Sequence, residues 1–83
     1  MTDVDNIPVI SVFPNPAKDI CTITAQSFTN SSLSLYDITG RALSQQPFNA
    51  KSELDLSRLT TGIYILEVKD KEGRSLKGKL VKE

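Results

Sequence analysis

Serine and threonine hydroxyls are plentiful in this chain, but an oxygen nucleophile needs a base beside it to react at neutral pH. Histidine is the usual base, and the sequence has none. A Ser–Lys arrangement is what remains. Lys18 and Lys51 both fall in turn-like stretches, whereas a catalytic lysine needs burial to lower its pKa. Glu53, Asp55 and Glu67 alternate with apolar residues and are expected to face solvent, so no buried carboxylate pair is expected. The glycines stand singly, which leaves no phosphate-cradling loop. Cys21 is the one cysteine, so no intramolecular disulfide can form and a zinc cluster lacks its ligands. It alternates with Ile23 and Ala25 and reads as a small core residue rather than a reactive thiol. Asp3 and Asp5 open an Asp-x-Asp pattern that no glycine and glutamate complete into a calcium loop. The expectation is a chain that is not an enzyme and carries no metal or cofactor.

Charge narrows the partners. Ten basic residues balance ten acidic ones, so the overall basic excess that binds nucleic acid is missing. From Lys69 onward the balance is locally basic, through Lys69, Lys71, Arg74, Lys77, Lys79 and Lys82. Such lysines guard an edge strand against sheet-to-sheet pairing, and they equally suit an acidic or edge-pairing partner. No apolar run approaches the length of a membrane span. Met1-Thr2-Asp3-Val4-Asp5 has no basic start followed by an apolar stretch, so an export signal, if used, is expected upstream.

The 83 residues suffice for one domain with a thin core. Residues 1–7 read as the end of a linker, and 8–83 as the domain. Short strands are expected at Pro8–Phe13, Ile20–Ala25 and Leu33–Ile38, then at Arg41–Ser44, Ser52–Leu56, Gly62–Lys69 and Arg74–Val81. Pro14-Asn15-Pro16 reads as a stiff turn, Thr39-Gly40 as a hairpin turn, and Gln45-Gln46-Pro47 as a break in pairing. Ser57-Arg58-Leu59 has room for a single helical turn. Ile63–Val68 is apolar on both faces over part of its length, as expected of a central strand. Gly40 and Gly62 are expected to serve backbone geometry at positive φ. Leu59-Thr60-Thr61-Gly62-Ile63-Tyr64 has the spacing of a tyrosine corner, in which the Tyr64 hydroxyl bonds back to upstream backbone. About seven short strands with regularly spaced turns predict an all-β fold, an immunoglobulin-like antiparallel β-sandwich.

Four stretches, taken together, carry a resemblance. Val12-Phe13-Pro14-Asn15-Pro16-Ala17 resembles the opening signature of the C-terminal sorting domains of the type IX (Por) secretion system. Leu33–Arg41 resembles their middle motif and Leu56–Tyr64 their third. Gly78-Lys79-Leu80-Val81-Lys82-Glu83 resembles their basic–apolar tail. The resemblance runs over about residues 8–83, in the family's order and spacing. It implies an immunoglobulin-like module at the C-terminus of a larger protein from Bacteroidota. Such a protein crosses the inner membrane by an ordinary signal peptide, passes through the periplasm, and is directed across the outer membrane to the cell surface or the medium. It implies as partners the type IX translocon, a shuttle protein, the N-terminal passenger of the same chain, and a sortase-like peptidase that cuts in the linker, around or before residues 1–7. Within the domain, Lys77, Gly78, Lys79, Leu80, Val81 and Lys82 are the expected recognition residues. Pro14, Asn15, Pro16, Gly40, Gly62 and Tyr64 are the expected structural ones.

Two other functions fit a small β-sandwich. A fibronectin-like or carbohydrate-binding accessory module of a secreted enzyme would need exposed aromatic platforms, such as Phe28, Tyr36 and Phe48 on one open face. A passive spacer would tolerate loss of the tail without loss of export.

Overall fold

Alternation of apolar and polar side chains builds this molecule strand by strand. A computed structural model describes residues 10–83; the expected linker at 1–7 and the start of the first strand at Pro8 lie outside the described residues. The strands are β1 (Ser11–Phe13), β2 (Ile20–Thr24), β3 (Ser31–Asp37), β4 (Ala42–Phe48), β5 (Lys51–Asp55), β6 (Gly62–Lys69) and β7 (Ser75–Lys82). All pairings between strands are antiparallel. They form a three-stranded sheet, β1-β2-β5, and a four-stranded sheet, β4-β3-β6-β7. The described residues contain no helix; at Ser57–Leu59 the chain makes only a turn, closed by Leu59 N–H donating to the Leu56 carbonyl at 2.9 Å.

The core fills the space between the sheets. Cys21, Ile23 and Leu54 enter it from one side, and Leu33, Leu35, Leu66, Val68 and Leu80 from the other, all buried. Phe28 and Phe48, also buried, close one end. The Arg74 guanidinium covers the Phe28 ring at 4.9 Å and donates to the Ser27 carbonyl at 3.3 Å, so a charged side chain seals an aromatic one.

Two hairpins use the same turn. Asp37-Ile38-Thr39-Gly40-Arg41 joins β3 to β4, and Asp70-Lys71-Glu72-Gly73-Arg74 joins β6 to β7. In each, the aspartate N–H donates to the arginine carbonyl at 3.0 Å, and the glycine sits at φ of 92° or 91°. In each, aspartate Oδ1 accepts from the backbone N–H groups two and four residues on. A three-residue loop of this kind needs a left-handed third residue, which glycine takes without strain.

The expected break at Gln45-Gln46-Pro47 does not occur: β4 continues to Phe48, with Pro47 opposite Ser32. β4 is an edge strand, where a residue without an N–H is tolerated. The register instead skips Leu43, leaving a bulge opposite Leu35 and Tyr36. β6 is central, between β3 and β7, as its apolar run implies. Only one of its faces is buried, however, because no layer of the described structure covers Ile63 and its neighbours.

Candidate recognition surface at the C-terminal strand

β7 alternates, and the alternation divides the tail. Leu76, Gly78, Leu80 and Lys82 face the other sheet, while Lys77, Lys79 and Val81 face outward. Leu80 is fully buried, and Lys82 is nearly so, with its Nζ donating to the Glu83 carbonyl at 2.9 Å. Gly78 faces β1: a Cβ placed there would stand 3.3 Å from Ile10 Cγ2 and 3.6 Å from Val12 Cγ2. Of the six expected recognition residues, Gly78, Leu80 and Lys82 thus hold the sandwich together. The side chains that face outward are those of Lys77, Lys79 and Val81.

The outer edge of β7 is closed over its last half. After β1 the chain passes through Pro14-Asn15-Pro16, with cis peptides before both prolines, and reaches the other sheet. There the Asn15 side chain acts as a strand would. Its Nδ2 donates to the Lys79 carbonyl at 2.9 Å, and its Oδ1 accepts from Val81 N–H at 2.9 Å. Ala17 continues the contact, donating to the Val81 carbonyl and accepting from Glu83 N–H, both at 2.8 Å, in a parallel bridge to Lys82. The segment expected to be a stiff turn is therefore also an edge cap, which satisfies backbone groups that would otherwise invite another chain. By the same parity the backbone of Lys77 faces outward, and among the described residues nothing bonds it.

The remaining expected structural residues are Tyr64, Gly40 and Gly62. Tyr64 Oη donates to the Thr60 carbonyl at 2.6 Å from a buried ring, which is the tyrosine corner. Gly40 takes φ of 92° and Gly62 φ of 157°. Cys21 is buried, and burial pushes its thiol up to about 11, the opposite of an activated nucleophile.

Carboxylates near the loops are held ionised. Asp37 lies below the usual range because Thr39 hydroxyl and Arg41 N–H bond it, and Asp55 because Ser57 N–H does. For Asp70, desolvation works in the opposite direction, but the bonds from Arg74 outweigh it; the Arg74 Nε–Asp70 Oδ2 distance is 2.6 Å. No group of three or more His, Cys, Asp or Glu side chains that could hold a metal occurs among the described residues. No helix among them is long and apolar enough to cross a membrane. Phe28 and Phe48 are buried, so the aromatic platform required by a sugar-binding module does not form from Phe28, Tyr36 and Phe48.

Residues 11–83 match the family described as the secretion system C-terminal sorting domain. The chain belongs to this family. The sorting domain is 27% identical over 74 residues to an endo-acting ulvan lyase of Formosa agariphila, a match that spans 87% of this chain and 14% of the lyase. It superposes on PorZ, a surface component of the type IX secretion system of Porphyromonas gingivalis, with a TM-score of 0.77 at 22% identity, over 99% of this chain and 12% of PorZ. Latent PorU from P. gingivalis gives 0.68 at 20% identity, over 92% of this chain and 9% of PorU. An immunoglobulin-like DUF3244 protein from Bacteroides vulgatus gives 0.73 at 20% identity, over 95% of this chain and 88% of its own length. These superpositions establish the immunoglobulin-like sandwich. The chain spans only a small part of the lyase, PorZ and PorU.

Sequence reasoning missed two features. Its sequence context makes Asn15 part of a turn, although its partners lie more than sixty residues away. The repeated Asp-x-x-Gly-Arg pattern stands in the sequence at both hairpins and could have identified their common loop.

Proposed function

We propose that this sorting domain is the non-catalytic address of a larger exported protein, read as a folded surface by the type IX machinery. The family match over residues 11–83 carries this reading. A signal that must survive folding in the periplasm needs a rigid scaffold, and the capped edge and twin hairpin turns supply one. On this reading the translocon and a shuttle protein meet the exposed side of β7, at Lys77, Lys79 and Val81, while Gly78, Leu80 and Lys82 keep that strand in place. The passenger lies N-terminal to the domain. A sortase-like peptidase cuts the linker around or before residues 1–7, and the passenger goes through the periplasm to the cell surface or the medium of a Bacteroidota cell.

The test is a secretion assay. The 83 residues are fused to the C-terminus of a periplasm-targeted fluorescent protein in a type IX-competent strain and in an isogenic strain without the translocon. Fluorescence at the surface or in the medium of the first strain only is expected. Periplasmic retention in both strains would sink the proposal. A tail deletion is a poor control, because it removes the buried Leu80. Lys77→Glu with Lys79→Glu leaves the core intact, and a folded double variant that stays in the periplasm would locate the reading on β7.

A further inference from the structure

The outer face of the four-stranded sheet carries an apolar patch that the fold does not use. Register places Ile63 beside Val81 and places Tyr36, Ile65 and Lys79 across three adjacent strands. Ile38, at the start of the β3–β4 turn, stands on the same side and is 69% exposed, and Ile63 is 40% exposed. Tyr36, Ile38 and Ile65 line a shallow depression of about 350 Å³ together with Asp37, Glu67 and Lys77. Singly exposed aliphatic residues are ordinary; Ile38 and Ile63 exposed on one face, with the half-buried Ile65 and Val81 beside them, mark a surface that something covers. The other sheet shows the contrast. Its exposed Phe13 and Ile20 each stand opposite a polar residue, Thr22 and Asp55.

Charge indicates what covers the patch. The acids on this side face partners within the domain: Glu67 stands opposite Lys77 in the register and accepts from Tyr36 Oη at 3.2 Å, and Asp37 pairs with Arg41 at 3.3 Å, which leaves Lys79, opposite Ile65, as the cation without a facing acid among the described residues. Among the described residues no ion pair holds Lys77 or Lys79, and both border the apolar patch. An aliphatic centre with Lys77 and Lys79 along one side complements a surface that carries aliphatic side chains and carboxylates. We propose that this outer sheet face is a docking surface for an acidic protein segment bearing aliphatic side chains. The proposal deepens the sorting reading and rests on it for where in the cell the partner is met, but the binding itself is a property of the domain. It extends the recognised surface from β7 to Ile38 and Ile63, which lie outside the tail.

The probe is a synthetic peptide alternating Ile with Glu, with an Ile–Lys peptide as control, titrated into the isotope-labelled 83-residue chain and followed by amide chemical shifts. Shifts confined to the strands around Ile38, Ile63, Ile65, Lys77 and Lys79 are expected, with the Ile–Lys peptide silent. The Ile38→Ser, Ile63→Thr double variant, chosen to keep strand propensity, is expected to weaken binding about tenfold or more while melting within a few degrees of the parent. Equal binding of both peptides, or no loss in the folded double variant, overturns the proposal. Shifts of the same residues on simple concentration overturn it in favour of self-association. In the secretion assay, failure of the parent fusion counts against the sorting reading alone. An exported parent with an equally exported double variant, and no peptide binding, counts against the docking face alone.

Discussion

Asn15 and Val81, 66 residues apart in sequence, share a 2.9 Å hydrogen bond in which the strand N–H of Val81 donates to the side-chain amide of Asn15. The same amide donates to Lys79, so one side chain replaces a neighbouring strand for two peptide groups. This joins the segment just after β1 to the C-terminal strand. The two ends of the domain are thus held as one unit.

Asn15→Ala removes both bonds. A net value of about 1 kcal/mol per hydrogen bond gives a loss of about 1–2 kcal/mol. Thermal melting should fall by several degrees, on the order of 4–8 °C per kcal/mol for a domain of this size. Amide exchange at Val81 should accelerate more than at Leu66. Unchanged exchange at Val81 would show that the cap is not held by Asn15.

Leu80→Ala opens a cavity beneath β7 and should cost about 2–5 kcal/mol. Lys77→Ala and Lys79→Ala, on the other side of the same strand, should stay within about 0.5 kcal/mol. Urea unfolding of the three variants measures the difference. Similar losses in all three would contradict the inward and outward division of the tail.

Tyr64→Phe deletes only the hydroxyl that donates to Thr60 at 2.6 Å. Because the ring is buried and the Thr60 carbonyl loses its partner, a loss of about 1–3 kcal/mol is expected in denaturant unfolding. A Tm within error of the parent would mean that the corner contributes shape but no stability.

Acid should weaken the fold through Asp37, Asp55 and Asp70, whose folded pKa values lie below the unfolded ones. A depressed carboxylate contributes stability that is present above its unfolded pKa and lost as pH falls through the folded value. Tm should therefore be level near neutrality and decline below about pH 4. Asp70→Asn keeps the loop's acceptor oxygen but not the titrating group, and should flatten the decline. A Tm that rises on acidification would reverse the assigned sign.

Cys21 should be inert in the native state. With the thiol buried and raised to about 11, a disulfide-exchange reagent at pH 8 should label it only as fast as the domain opens. Rapid stoichiometric labelling without denaturant would contradict its placement in the core.

Strand number, the inward face of β2, and the tyrosine corner were legible in the residues because each is local. Period-two alternation assigns Cys21, Ile23 and Ala25 to one side whatever their partners, and the corner joins residues four apart. The resemblance of four ordered stretches was likewise a property of the chain alone. Other features depended on which strands became neighbours. Pro47 stays in β4 because that strand is an edge. Asn15 became a cap because the chain crosses from one sheet to the other beside β7. Leu80 and Lys82 are buried, and Ile63 is not, because a layer lies over one face of β6 and β7 and none over the other. Alternation says which residues share a face; only the packing of the sheets says which face meets water.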